Sequence, residues 1–276
     1  YDEAYDISKL GGISCKGTTL EKRDGNPPPR IAETPAGMLN SVGLQNPGVD
    51  YFLQRDLPFL QKKDLTVIAN IAGSCERDYC EMAERLNDSA VQMIEMNISC
   101  PNVKSGGVAF GTSCKSVENI TAAVRRHCKK PLIVKLSPNV TDIGEIAVAA
   151  ESAGADAVSL INTITGMRID IHTRRPVLRN NTGGLSGPAV FPVAVRMVNQ
   201  VYNRVKIPVI GMGGISTWED AVEMLLAGAS ALQVGAAMFR DPYAPLKIID
   251  GLQAFMEQNG ISSVSELTGG VQLWYP

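Results

Sequence analysis

The chain has 276 residues, 45% hydrophobic and 20% charged, with a net charge of -2 and a pI of about 5.8. That balance excludes a strongly basic nucleic-acid binder, and no apolar run approaches the roughly 20 residues of a membrane-spanning helix. Six cysteines (Cys15, Cys75, Cys80, Cys100, Cys114, Cys128) without CxxC spacing, and two distant histidines, His127 and His172, predict neither a metal site nor a disulfide framework. Nothing reads as a signal peptide, so a reduced, cytoplasmic setting is expected.

In chain order, Tyr1 to Leu10 reads as the tail of a helix, stopped by Gly11 and Gly12. Ile13 to Gly17 reads as a short strand carrying Lys16. Thr18 to Asn46 is a long loop rich in Gly and Pro, with GNPPPR and NSVGLQNPG, and loops of that length are usually functional. A helix interrupted at Pro58 runs from Pro47 or Asp50 to Lys62. Val67 to Ile71 is a strand carrying Asn70, Glu76 to Leu86 a helix, and Gln92 to Ile98 a strand that runs into Cys100. Val117 to Cys128 is a helix with Ser116 as its N-cap. Leu132 to Leu136 is a strand carrying Lys135, Asp142 to Ala153 a helix stopped by Gly154, and Ala157 to Ile161 a strand.

Gly166 to Asn181 reads as an inserted excursion, a hairpin. Pro188 to Arg204 is a helix with Pro at its favoured first position. Val209 to Met212 is strand, Trp218 to Leu226 helix, Ala231 to Val234 strand and Tyr243 to Gln258 helix, with a short helical turn near Val264 to Leu267.

Strands thus alternate with helices, and the strands are apolar on both faces, which argues a parallel sheet covered by helices. The junctions AESAGADAVSLI and EMLLAGASALQV place Gly154 and Gly228 identically between helix and strand. A doubly wound open sheet is the rival arrangement. Polar or glycine residues at the strand ends (Lys16, Asn70, Asn97, Lys135, Asn162, Gly213 with Gly214, and Gly235) favour a TIM (β/α)8 barrel, where such ends share one face. The expectation is one domain over residues 1–276. Only seven strand–helix units are present, so the barrel is expected to lack its first strand at the N-terminus.

The stretch MNISCPNVKSGGVAFG ends an apolar strand in Asn97, Ser99, Cys100 and Asn102. Pro101 biases Cys100 away from helix, and Gly106, Gly107 and Gly111 allow the loop to hinge. A thiol flanked by two carboxamides at a strand end suits proton chemistry; a buried structural Cys in a turn is the alternative. GMGGI (Gly211 to Ile215) and Gly235-Ala236 follow the last two strands, and glycines there let backbone N–H groups approach a phosphate. Gly187 in GGLSGPA joins the same cradle. A lysine at Lys135 in LIVKLS needs an anion or an electron-rich ring. Asn40, Asn97, Asn102 and Asn162 together could read an amide-rich heterocycle, although each alone is more often a turn former or capping residue than a ligand.

NISCPNVKSGG, with NSVGLQNPG, IANIAGS, VKLSPNVTDI, INTITGMRID, NTGGLSGPA and IGMGGI, resembles the catalytic subunit of class 1B dihydroorotate dehydrogenases, from about Tyr1 to Leu267. The resemblance implies a TIM barrel holding FMN that oxidises (S)-dihydroorotate to orotate in pyrimidine biosynthesis. It implies that Cys100 is the base, taking a proton from C5 while C6 gives hydride to the flavin. A free thiol titrates near about 8.5, so activity is expected to rise with pH through that region. Lys16, Asn40, Ser41, Val42, Gly43 and Leu44 are implied to meet the substrate, with Asn97, Asn102, Asn162 and Thr163. Lys16 and Gly17 are implied to touch FMN, and Asn70, Asn97, Lys135, Ile161, Gly187, Gly213, Gly214, Gly235 and Ala236 to hold it.

Where the family usually has Gly-Thr, this chain has Gly235-Ala236, which keeps the backbone N–H and loses a hydroxyl. Members also carry a first barrel strand with an Ala-Ser-Gly stretch under the flavin. A partner subunit bearing FAD and a 2Fe–2S cluster, in a heterotetramer around a homodimeric core, is implied by the resemblance alone. Other flavin barrels (the fumarate-linked class 1A enzymes, the pyrimidine-reducing domain of dihydropyrimidine dehydrogenase), an inactive barrel subunit, and a flavin-free aldolase with Lys135 as Schiff-base lysine are the alternatives.

Overall fold

A computed structural model describes residues 1–98 and 110–275. Ser99, Cys100, Asn102 and the glycine loop as far as residue 109 lie outside the described residues. The strands in chain order are β1 (Gly12–Ser14), β2 (Ile31–Thr34), β3 (Gly37–Asn40), β4 (Thr66–Ile71), β5 (Met93–Asn97), β6 (Leu132–Lys135) and β7 (Ala157–Leu160). There follow β8 (Ile164–Gly166), β9 (Ile169–Asp170), β10 (Arg175–Pro176), β11 (Gly183–Ser186), β12 (Val209–Met212) and β13 (Ala231–Gln233). The helices are α1 (Val49–Tyr51), α2 (Leu57–Leu60), α3 (Glu76–Asn87), α4 (Cys114–His127), α5 (Ile143–Ser152), α6 (Phe191–Tyr202), α7 (Trp218–Leu226) and α8 (Ala244–Asn259).

Seven strands form one parallel sheet in the order β1-β4-β5-β6-β7-β12-β13. Each neighbour is the next such strand in the chain, and the helices from α3 to α8 pack in the same succession outside it. The sheet curls. Gln233 of β13 reaches Glu95 of β5 at 3.1 Å although three strands separate them in the sheet. This is the (β/α)8 barrel short of one strand that the element pattern predicts. Among the described residues, β1 and β13 each pair on one side only.

The two faces of the strands explain the layers. On β5, Ile94 and Met96 are buried under the helices while Glu95 and Asn97 alternate with them; on β7, Val158 and Leu160 alternate with Ser159. The outer layer is continuous apolar packing of Leu132, Val134, Met82, Leu86, Ile120, Val124, Ile146 and Val198. Helix starts are fixed by side chains: Asp142 accepts from the amides of Gly144 and Glu145, and Thr217 and Asp220 form a reciprocal capping box on α7. Gly154 and Gly228 sit at positive φ (99° and 125°) in the matching helix-to-strand turns that their spacing suggests.

Four expectations are corrected. Residues Tyr1 to Leu10 form turns and a 3-10 turn over Ile7–Lys9, capped by Asp6, because the segment has no apolar stripe long enough for a helix. The strand at residue 13 ends at Ser14, so Lys16 and Gly17 lie in the loop beyond it. The cap of α4 is Ser113, whose side chain accepts from the Ser116 amide, so the helix starts a turn earlier. The loop after Thr18 and the GGLSG stretch contain strands: β2, β3, β11 and β8 make a four-stranded antiparallel sheet. The excursion after Gly166 is a hairpin, β9 with β10, as read.

Candidate active site

The strand ends gather around a buried acid. Glu95 has no exposed surface, yet it sits among polar groups from five other strands of the barrel. Its Oε1 accepts from Ser159 Oγ at 2.7 Å and Gln233 Nε2 at 3.1 Å. Its Oε2 accepts from Asn70 Nδ2 at 2.5 Å and Ser14 Oγ at 3.1 Å, and lies 3.9 Å from Lys135 Nζ. Burial alone would raise this carboxyl. The Lys135 ammonium and the hydrogen bonds from Ser159, Asn70 and Gln233 outweigh burial and hold it below the ordinary carboxylate value. Lys135 therefore points inward, to an anion, as its apolar context requires.

Of the residues expected to meet flavin or substrate, Asn70 and Lys135 belong to this cluster and Gly17 lies against it. Gly17 is flanked by Asn70 and Leu44: a Cβ there would stand 3.0 Å from Asn70 Oδ1 and 3.4 Å from Leu44 Cδ2. Lys16 is exposed just beyond β1. Asn162 Nδ2 donates to Asn97 Oδ1 at 3.2 Å, and Tyr79 OH donates to Asn97 O at 2.8 Å. The two carboxamides therefore meet across the ends of β5 and β7, the strands on either side of β6. Thr163 follows, its carbonyl accepting from Asn139 Nδ2 at 3.0 Å. Asn40 pairs with Gly184 in the antiparallel sheet, and a Cβ on Gly184 would stand 2.0 Å from Thr163 Oγ1, so Asn40 and Thr163 flank the same backbone.

The segment Asn40 to Leu44 is held by Asn26, which donates from Nδ2 to Ser41 O and from its amide to Val42 O, both at 2.9 Å; the Gly43 backbone turns at φ +78°. Ser41 Oγ is fully buried with no hydrogen-bond partner among the described residues. That hydroxyl is open to a further polar partner.

Gly213 and Gly214 (φ +122° and +80°) follow β12, and Gly235 and Ala236 follow its neighbour β13. Their four amides donate no hydrogen bond to a described residue. A Cβ on Gly214 would stand 2.7 Å from Gly187 O and 2.9 Å from the Phe191 amide, while Gly235 faces open space. Gly187 in turn lies against Gly37, and Ile161 against Gly213. Unpaired amides at this end of a barrel suit a phosphate, so the residues present fit FMN. A cavity of about 540 Å³ at the same end, lined by Thr19, Lys22, Arg23, Ser74 and Asp78 among others, contains none of the expected site residues.

The sequence reading missed Glu95, Ser14, Ser159 and Gln233. One signal was available for the acid: a single charge inside the apolar run Met93-Ile94-Glu95-Met96 must be buried against partners or break the strand. The serines and Gln233 carry no local signal. Cys15 lies close to the site in sequence, but burial first, then Asp56, pushes its thiol up to about 12, away from the reactive thiolate form.

Comparison with known proteins agrees with this arrangement. The family described as Dihydroorotate dehydrogenase matches residues 1–256. A protein of Alkaliphilus metalliredigens named "Dihydroorotate dehydrogenase B (NAD(+)), catalytic subunit" is 56% identical over 271 residues, covering 98% of this chain and 90% of that protein. Proteins of the same name from Lachnoclostridium phytofermentans and Bacteroides thetaiotaomicron are each 55% identical, covering 99% of this chain and 91% and 90% of their own lengths.

Proposed function

The chain belongs to the dihydroorotate dehydrogenase family, and from that premise we propose that it is the catalytic subunit of the NAD-linked, class 1B enzyme, oxidising (S)-dihydroorotate to orotate in pyrimidine biosynthesis with FMN. The observation that carries this reading is the identity of 55% and 56% to catalytic subunits of that name over nearly the whole chain. When bound, FMN supplies a two-electron acceptor.

The whole chain, 1–276, serves as one FMN-binding domain. The amides of Gly213, Gly214, Gly235 and Ala236, with Gly187 behind them, hold the phosphate. Lys16, Gly17, Asn70, Asn97, Lys135 and Ile161 border the ring. The unpaired amides and the inward-facing Lys135 support that division. Asn40 to Leu44, Asn97, Asn102, Asn162, Thr163 and Lys16 bind the pyrimidine. Carboxamides carry both a donor and acceptors, so they can match the alternating N–H and C=O groups of such a ring. The Ser41 hydroxyl, without a partner among the described residues, supports a polar ligand in the same loop. Cys100 takes the C5 proton.

Electrons reach NAD+ through a partner subunit bearing FAD and a 2Fe–2S cluster, in a heterotetramer around a homodimeric core. The name of the relatives, a catalytic subunit of an NAD(+) enzyme, supports a second subunit. The catalytic assignment is tested with Cys100→Ser. Removing a general base typically costs about a hundredfold or more, so turnover with dihydroorotate falls by that factor while bound FMN remains. Unchanged turnover in a flavin-loaded variant would contradict the role given to Cys100.

A further inference from the structure

We propose that Glu95 is a positioning residue that sets the charge and the amide polarity of the wall facing the flavin. This rests on the FMN reading above. Glu95 has no exposed surface, so it acts through others. Two of its partners, Asn70 and Lys135, belong to the residues assigned to the ring end of FMN, and two more, Ser159 and Gln233, come from other strands of the barrel.

A carboxylate only accepts hydrogen bonds. It therefore fixes the orientation of both amides that touch it. Asn70 must turn Nδ2 to Glu95, which leaves Oδ1 facing Gly17. Gln233 must likewise turn Nε2 inward and its carbonyl away. The same oxygen that takes the Asn70 amide lies 3.9 Å from the Lys135 ammonium and draws that side chain into the barrel. With Glu95 ionised, the Lys135 charge is balanced; without it, the wall gains one positive charge. A packing role alone would be met by an isosteric amide. The charge and the acceptor-only character are what Gln cannot supply.

Adding electrons to a flavin adds negative charge near this wall, so the midpoint potential reports the wall's charge directly. The test compares the FMN-loaded wild-type protein with Glu95→Gln and Ser159→Ala by redox titration, alongside the FMN dissociation constant. Glu95→Gln is expected to keep FMN bound and to raise the potential by at least a tenfold change in the oxidised-to-reduced ratio, about 30 mV for a two-electron couple. Ser159→Ala removes one hydrogen-bond donor from the carboxylate and leaves its charge. It is expected to lower the potential by about threefold in the same ratio, and it carries the test if Glu95→Gln does not fold. A lower melting temperature with an unmoved potential in the variants that fold would overturn the proposal and leave the FMN reading intact. A wild-type protein that binds no FMN would overturn both.

Discussion

Glu95 and Lys135 illustrate what a single buried charge demands. Transferring a carboxylate out of water costs several kcal/mol unless it is paired and hydrogen-bonded. Glu95 meets that demand with four hydrogen bonds and one ammonium. Lys135→Met would leave the acid without its counter-charge. The expected loss is about 3–5 kcal/mol of stability, measured by urea unfolding; a loss below about 0.5 kcal/mol would show that the lysine contributes nothing to the cluster.

The pH dependence follows from the same group. The folded-state value of Glu95 lies below its unfolded value. Its contribution is therefore fully present above about pH 4.3, the unfolded carboxyl value, and is lost as pH falls through the folded value. The stability gap between wild type and Glu95→Gln is expected to stay constant from neutral pH to about pH 5 and to close below it. A gap that persists at the acid end would mean that the carboxylate is not held ionised. Thiol labelling separates the cysteines by the same logic of burial. Exposed Cys75 reacts in the native protein, while Cys15, pushed up to about 12, and buried Cys128 stay unmodified. Labelling of Cys15 at the rate of Cys75 would contradict its packing.

Among the elements, the junction from β12 to α7 is tightly constrained. Gly214 sits at φ +80° with backbone atoms on two sides of the position a Cβ would take. Gly214→Ala therefore strains the turn and crowds the proposed phosphate cradle. Expected are a loss of about 1–3 kcal/mol and weaker FMN retention, read by thermal unfolding and by flavin release on gel filtration. Unchanged values for both would remove Gly214 from the site.

The parallel strands and their helices were legible in the chain because each is a local pattern: apolar runs such as Val67 to Ile71, and α7 bounded by Thr217 and Ala227. The antiparallel sheet was not. Asn40 pairs with Gly184, far along the chain, and the strands that pair there are short and rich in Gly. Locally they read as turn and loop, since their order comes from partners and not from propensity. The Glu95 cluster was hidden for the same reason. Ser14, Asn70, Ser159 and Gln233 converge only once the sheet has curled. The strained glycine pair after β12 and the inward Lys135 were readable, because a glycine pair after a strand and a lysine within an apolar strand each violate the local rule.

For the whole molecule, the barrel places two dissimilar surfaces at one end: amides after β12 and β13 that have no partner among the described residues, and a polar wall built on Glu95 and the carboxamides of Asn70, Asn97 and Asn162. The first suits a phosphate and the second a flat ring with amide edges. Their proximity is what a flavin-dependent pyrimidine dehydrogenase needs. The most direct measurement is an anaerobic titration of the purified, FMN-loaded chain with (S)-dihydroorotate, following visible flavin absorbance and orotate together. One equivalent is expected to bleach one equivalent of FMN and to yield one of orotate; flavin that stays oxidised in the presence of excess dihydroorotate would contradict the assigned reaction.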